Sequence, residues 1–298
     1  MERKFTISCC STVDLPYSYM ESRQIPVLFY NYVVDGQEYV DDMERDPRAL
    51  SRFYAMLDEG KLPSTSQINV ARYAEFFEEQ LQKGDLLHIS FTSGQSGSVN
   101  NAYMAAEELR EKYPDRKIIV IDSLCSSTGY GMLVDFAADM ADNGATIEEC
   151  EKWLLENRNR LHHQFFSSNM TQFRRTGRVS GAAAAVATVL NICPVMRLDA
   201  AGAIKAYDKV RGKKKAVEVT VNEMEKHVQN GTAYDNKCWI CHSQCPEDAM
   251  MLKEAVEARF PKLKEPIGIY NIGTIIGSHS GRGTVAVFFL GDERPVMD

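Results

Sequence analysis

Short apolar runs alternate with polar, turn-forming stretches from the start of the chain. The first run begins at Phe5 and reads as a buried strand ending in Ser11-Thr12-Val13-Asp14-Leu15-Pro16. Residues 26–39 read as two strands joined at Asp35-Gly36, a pair that favours positive φ and a tight hairpin. Over 66–82, Val70, Tyr73, Ala74, Phe77 and Leu81 recur at helical spacing. Gly84 closes that helix, and a short strand follows over 86–90. The unit then repeats: a loop over 92–98, a helix near 100–112 ended by Pro114, and the continuous apolar run 118–121. Such a run suits a strand buried on both faces. A Ser-rich loop after Asp122 leads to a helix near 129–142, and Thr146 with Glu149 makes a capping box for another, to about residue 160. This alternation predicts a mostly parallel sheet flanked by helices.

Beyond residue 160 the pattern changes. A strand is expected over 164–168, then an alanine-rich helix over 180–191 halted before Pro194. Strands over 194–198 and 203–210 connect through Asp199-Ala200-Ala201-Gly202. Helices near 213–229 and 246–259 and strands near 238–242, 267–271 and 284–290 complete a mixed α/β half. The expectation is an α/β protein of two closely packed domains, 1–160 and 161–298, with a ligand between them. The length of 298 residues fits two domains.

A formal charge of -7 argues against nucleic acid and against loose attachment to anionic membranes. Met1-Glu2-Arg3-Lys4 leads into no signal-peptide core, and the most apolar run, 181–196, is broken by Thr188, Asn191 and Pro194, so no membrane span is expected. The eight cysteines are irregularly spaced and read as reduced thiols, which together with the missing export signal predicts a cytoplasmic protein.

Three segments place small hydroxyl residues and glycines directly after a strand: Ser64-Thr65-Ser66, then Thr92-Ser93-Gly94-Gln95-Ser96-Gly97-Ser98, then 123–129 beginning at Ser123. Ligands of open α/β sheets collect at such strand ends, and hydroxyls with free N–H groups suit an oxyanion. Ordinary helix capping explains any one of these loops, but three together point to an anion site. A fourth segment, 272–283, is dense in glycine and carries Gly277, Ser278 and His279. Its histidine is either a ligand contact or a loop residue satisfying local carbonyls. In Arg174-Arg175-Thr176-Gly177-Arg178-Val179-Ser180, Arg178 could clamp a carboxylate or stand on the surface.

Two rival chemistries are visible. Cys238, Cys241, His242 and Cys245 fall within eight residues and suggest a metal or iron–sulfur site, but in a strand Cys238 and Cys241 face opposite ways. Ser93 or Ser96 could serve a hydrolase, although Ser93-Gly94-Gln95-Ser96-Gly97 is not the usual nucleophile elbow. Arg211 with Lys213, Lys214 and Lys215 reads as the start of a solvated helix, and Asp41, Asp42, Glu44 and Asp46 read as exposed, without calcium-loop spacing.

Taken in order, several of these pieces resemble the DegV family of bacterial fatty-acid-binding proteins, which includes the lipid-binding subunits of fatty acid kinase. They are Ser11-Thr12-Val13-Asp14-Leu15-Pro16, Thr65-Ser66-Gln67, Thr92-Ser93 with Ser96-Gly97-Ser98, and Val120-Ile121-Asp122-Ser123. Gly177-Arg178-Val179-Ser180, Asn191-Ile192-Cys193-Pro194, Val210-Arg211-Gly212-Lys213 and the segment 272–283 continue the set across nearly the whole chain. The resemblance implies a long-chain fatty acid buried between two α/β domains, with no other cofactor and no catalysis by this chain alone. It assigns the carboxylate to Thr65 and Ser93, with Thr92 and His279 beside them, and places Arg178 near the head group and the kinase-facing surface. Ser66, Ser96, Gly97, Ser123, Gly277 and Ser278 are implied as pocket loops. The implied partner is a separate ATP-binding kinase subunit that makes an acyl phosphate. Where the family pattern has Asp, Leu and Pro, this chain has Cys10, Gln95 and Arg282, and Arg174-Arg175 stands in tandem.

A fatty acid suits the physics. Each buried methylene contributes about 0.8 kcal/mol, so roughly fifteen offer on the order of 12 kcal/mol before the costs of association. The head group then needs only donors that fix and satisfy it. Residues 182–185, Val186, Ala187 and Met196 are small or pliable enough to line the tail, or equally to pack a core helix.

Overall fold

The computed structural model describes residues 3–179 and 191–297. The alanine-rich helix expected over 180–191, with the proposed tail-lining residues Ala182 to Ala187, falls outside the described residues except for Asn191. Strands β1 (Phe5–Cys10), β2 (Val27–Leu28), β6 (Asp85–Ser90) and β7 (Ile118–Asp122) form one parallel sheet in the order β2-β1-β6-β7. Helices α3 (Val70–Leu81) and α4 (Ser98–Lys112) pack together over one face, in a core with Phe77, Leu86 and Val99. Helix α5 (Ser127–Asp142) contributes Tyr130, Leu133 and Ala137 to the core of the other face. Helix α6 (Ile147–Asn157) begins at the predicted capping box, whose two reciprocal bonds, Glu149 N–H to Thr146 Oγ1 and Thr146 N–H to Glu149 Oε2, measure 3.2 and 2.8 Å.

The predicted hairpin forms between β3 (Asn31–Val34) and β4 (Gln37–Val40), with Asp35 and Gly36 both at positive φ, 51° and 80°. A two-residue strand, β5 (Ser64–Thr65), adds to β3 and sets Thr65 opposite Tyr32.

The second sheet has six strands in the order β10-β9-β8-β13-β11-β12. They are β8 (Leu161–Ser167), β9 (Ile192–Leu198), β10 (Ile204–Arg211), β11 (Cys238–His242), β12 (Gly268–Asn271) and β13 (Thr284–Leu290). All neighbours are antiparallel except β11 and β12. Helices α8 (Lys213–His227) and α9 (Pro246–Arg259) cover the outer face around Phe166, Ile240 and Phe260. The inner face meets the first sheet's α5 side in one continuous core holding Ile89, Tyr130, Phe165 and Phe288.

Helices α1 (Tyr17–Ser22), α2 (Ala49–Asp58) and α7 (Thr171–Thr176) are not announced by the apolar pattern, being short or framed by charged residues. The glycine-dense segment read as a loop contains a seven-residue helix, α10 (Thr274–Ser280). Asp41, expected on the surface, is 2 % exposed because the chain after β4 turns inward against α10.

Candidate functional site

Between the two sheets lies a cavity of about 380 Å³. One part of its wall is apolar: Phe91, Phe165, Phe173, Leu198, Ile272, Ile276, Ala286 and Phe288. Another part is polar: Thr65, Ser66, Gln67, Ser93, Ser96, Gly97, Arg178 and His279. The apolar residues come from both halves of the chain, and so do the polar ones.

Thr65 and His279 meet directly, Oγ1 to Nε2, at 2.8 Å. β5 supplies the threonine and α10 the histidine. Arg175 holds those elements together, donating to the Pro63 carbonyl at 2.8 Å and the Ser278 carbonyl at 3.2 Å, while Gln172 accepts from its Nε at 2.7 Å. Burial, and then the nearby Arg178 and Arg175 guanidinium groups, push the His279 pKa down to about 4, so the ring is neutral near pH 7. Its Nδ1 is buried without a hydrogen-bond partner. A neutral ring that accepts the Thr65 hydroxyl proton at Nε2 carries its own proton on Nδ1, a donor suited to an oxyanion.

The second hydroxyl loop is fixed from two sides. Asp122 Oδ1 accepts from the Ser93 and Leu124 N–H groups at 3.1 and 3.0 Å. Thr92 Oγ1 donates to the Gly202 carbonyl at 3.3 Å and accepts from Gly94 N–H at 3.0 Å. Gln95 Nε2 donates to the same carbonyl at 3.1 Å. Gly94 has no room for a side chain, since a Cβ there would lie 2.5 Å from the Ala201 oxygen. The loop is thus clamped onto the β9–β10 turn of the other half.

Thr65, Ser66, Ser93, Ser96, Gly97, Arg178 and His279 line the cavity. Thr92, Ser123, Gly277, Ser278 and Met196 do not line it. The Thr92 hydroxyl is engaged as above. Ser123 Oγ bonds within its own turn to Cys125, at 3.1 Å in each direction. Gly277 faces Tyr54 and Phe53, Ser278 Oγ caps the Thr274 carbonyl at 2.7 Å, and Met196 is packed in the core. Tyr30 and His163 line the cavity without having been singled out from the sequence, while Ser126 and Ser280 come from the segments 123–129 and 272–283. His163 Nε2 accepts from Ser126 N–H at 3.1 Å, and its Nδ1 faces the Leu161 carbonyl at 3.1 Å. No loop motif marks Tyr30 or His163: His163 lies inside β8, and Tyr30 stands between β2 and β3.

The residues that depart from the family pattern have local partners. Cys10 is buried, with Sγ 3.6 Å from Tyr73 Oη and 3.7 Å from His88 Nε2, and burial raises its pKa to about 12. Arg282 Nε donates to Asp58 Oδ1 at 2.8 Å and lies over the Tyr54 ring, away from the cavity.

Geometry separates the rival chemistries from the site. Cys238 belongs to the outer core and Cys241 to the inner one, while Cys245 Sγ donates to the Thr284 carbonyl at 3.4 Å, so the three thiols do not converge. No histidine hydrogen-bonds Ser93 or Ser96 among the described residues. His162, His227 and Asp292 do gather their ligand atoms within 4.8 Å. The His227 nitrogens there already face Asp292 at 2.8 Å and Glu223 at 3.3 Å, so the ring is engaged on both sides by carboxylates. No helix among the described residues is long and apolar enough to cross a membrane.

Comparison with known proteins places the chain in a family. The family model described as uncharacterised protein, DegV family, matches residues 4–292. A DegV domain-containing protein of Clostridium perfringens is 40 % identical over 295 residues, covering 98 % of this chain and 99 % of its own. Among solved structures, a DegV lipid-binding protein of Thermotoga maritima superposes with a TM-score of 0.81 at 27 % identity, covering 98 % of this chain and 99 % of its own. A fatty-acid-binding DegV family protein of Thermus thermophilus gives 0.85 at 25 % identity, over 97 % and 100 %. On the match to the family model and the coverage of these relatives, the chain belongs to the DegV family.

Proposed function

We propose that this chain binds a long-chain fatty acid in the cavity between its sheets, as a lipid-binding protein without catalysis of its own. The carboxylate lies at Thr65, Ser93 and His279, and the tail runs among Phe165, Leu198, Ile276 and Phe288. The observation that carries the reading is the Thr65–His279 pair, a neutral hydrogen-bonded couple whose unpartnered Nδ1 can donate, at the polar part of an otherwise apolar cavity. Acyl burial supplies most of the affinity, and the hydroxyls and imidazole satisfy the oxyanion that would otherwise oppose burial. The fatty-acid binding described for the Thermus thermophilus protein and for a second Thermotoga maritima protein of 27 % identity supports the ligand class.

In the fuller form of the proposal, residues 1–160 and 161–298 act as two domains that present the carboxylate to a separate ATP-using kinase subunit in the cytoplasm, with Arg178 at the exposed mouth. The partner's active site would supply the phosphoryl group, and this chain would hold the nucleophilic oxygen in place.

Native mass spectrometry of the purified protein, followed by denaturing extraction, tests the first part. A co-purified mass matching a long-chain fatty acid, released on denaturation, is the expected result. Failure of the delipidated protein to take up any fatty acid would reject it.

A further inference from the structure

Ser93 is carried to the cavity wall between two turns, one from each half of the chain. In the first, Asp122 Oδ1 accepts from the Ser93 and Leu124 N–H groups at 3.1 and 3.0 Å. In the second, residues 199–202, the Gly202 carbonyl accepts from Thr92 Oγ1 and Gln95 Nε2. The turns touch: Gly202 has a φ of 74°, and a Cβ there would lie 3.0 Å from the Leu124 oxygen. Whatever fixes their separation therefore fixes the Ser93 hydroxyl.

Residues 294 and 295 bind both turns at once. Arg294, 3 % exposed, donates from Nη2 to the Leu124 carbonyl at 2.8 Å, with Asn159 Oδ1 at 3.1 Å and the Arg158 carbonyl at 3.3 Å beside it. The Pro295 carbonyl accepts from Ala200 N–H at 2.9 Å. Arg294 N–H donates to the Asn159 carbonyl at 2.8 Å, which anchors the segment to the chain between α6 and β8. Arg158 in turn donates from Nη1 to the Asp122 carbonyl at 2.8 Å. Burying a guanidinium is costly, and the Nε and Nη1 of Arg294 are buried without partners. An apolar side chain of that length would fill the space at lower cost. The charge is instead directed at a carbonyl that abuts the head-group loop.

We propose that Arg294 is a positioning residue for the head group: it sets the spacing of the Leu124 and Gly202 turns, and through them the place of the Ser93 hydroxyl. Resting on the fatty-acid reading, this role is exerted through Ser93 and not by contact, since Arg294 does not line the cavity. It concerns the carboxylate and not the tail.

Positioning is separated from plain stability by comparing the affinities of the delipidated full chain for palmitic acid and for hexadecanol, which has the same tail and no carboxylate. Arg294→Met should lower the acid-over-alcohol preference about tenfold and leave the alcohol affinity within about twofold. Arg294→Lys, which keeps a cation with three donors, should recover most of the preference. Adding Arg294→Met to Ser93→Ala should lower the preference little beyond Ser93→Ala alone. Equal weakening of both ligands, an unchanged preference, or losses that add in the double variant overturn the proposal. If Arg294→Met fails to fold, Asn159→Ala removes one acceptor at a half-buried position and should lower the preference about threefold; an unchanged preference there also overturns it. Hydrogen exchange on the empty protein needs no lipid: Arg294→Met should speed exchange of the Ser93 and Leu124 amides about tenfold while the sheet amides hold. A parent chain that takes up neither compound rejects the fatty-acid reading, whereas unchanged exchange in Arg294→Met rejects the positioning role.

Discussion

Thr65 Oγ1 lies 2.8 Å from His279 Nε2, although the two residues are 214 positions apart in sequence. Each sits on a short element that its own sequence barely supports, and Arg175 ties both elements together. The hydrogen-bonded pair is therefore assembled before any ligand arrives, which lowers the ordering cost of binding.

Replacing Thr65 by valine keeps the volume but removes the hydroxyl and strands the His279 ring. Affinity for a long-chain fatty acid should fall by about 1–3 kcal/mol, measured by calorimetry on delipidated protein. Equal affinity in Thr65→Val and the parent protein would remove Thr65 from the head-group site.

Neighbouring hydroxyls in the second loop should behave differently. Ser93 lines the cavity, so Ser93→Ala should weaken ligand binding while the melting temperature of the empty protein holds. Thr92 is spent on Gly202 and Gly94, so Thr92→Val should cost about 1–2 kcal/mol of folding stability in urea titrations. A reversed pattern would exchange the two roles.

Acidification should destabilise the fold. Burial lowers the pKa of His88 to about 3 and of His279 to about 4, and that of His163 well below its ordinary value, whereas unfolded imidazoles protonate near pH 6.5. The unfolded chain then binds more protons across that window. Stability from these rings is complete above about pH 6.5 and drains as pH falls toward their folded values. Asp14 and Asp41, raised by burial, act in the opposite sense, gaining stability as pH falls through their folded values. His162 and His227 shift in opposite directions, His162 downward by burial and His227 upward through its bonds to Glu223 and Asp292. With the three rings outweighing the two carboxyls, the melting temperature should be lower at about pH 5 than at about pH 7.5, and His279→Gln should shrink the difference. A melting temperature that rises on acidification would show the carboxyls dominating.

Ala286, on β13, is a small residue in the cavity wall. Ala286→Leu adds roughly three carbons of bulk there and should shift preference toward shorter acyl chains. Competition among saturated acids of graded length would read the shift, and an unchanged order would place the tail elsewhere.

Arg178 is exposed at the mouth, and its Nη1 donates to the Thr176 carbonyl at 2.5 Å. If the proposed kinase partnership holds, Arg178→Ala should leave fatty-acid affinity within about twofold while reducing acyl phosphate formation by a fatty acid kinase subunit more than tenfold. Loss of binding with normal phosphorylation of the bound fraction would confine its role to the pocket.

Local signals carried much of the fold. The Thr146–Glu149 capping box, the Asp35-Gly36 turn and the apolar run through β7 depend on neighbours in sequence, and each forms as expected. The odd spacing of Cys238 and Cys241 likewise foretold their separation into two cores. α10 was not legible, since Thr274, Ile275, Ile276, Gly277 and Ser278 are poor helix formers. Its support is tertiary: Tyr54 Oη reaches the Ile272 carbonyl at 3.0 Å, Thr274 bonds Asp41, and Arg175 reaches Ser278. For the same reason composition could mark hydroxyl loops but not decide which hydroxyls face the cavity. Thr92 and Ser93 are adjacent, yet only Ser93 lines it.

The clamp of the second hydroxyl loop onto Gly202 also bears on how a ligand leaves. The head-group wall is a seam: Ser93 stands beside a contact that runs through Thr92 and Gln95 to the far sheet, and His279 returns from the other side. A bound acid would stitch that seam shut, stabilising the union of the halves by mass action and not by any new covalent or metal link. Escape would then require the seam to part, so the residence time of the lipid would be set by a local opening of the protein and shortened by whatever pries the Gly202 contact apart.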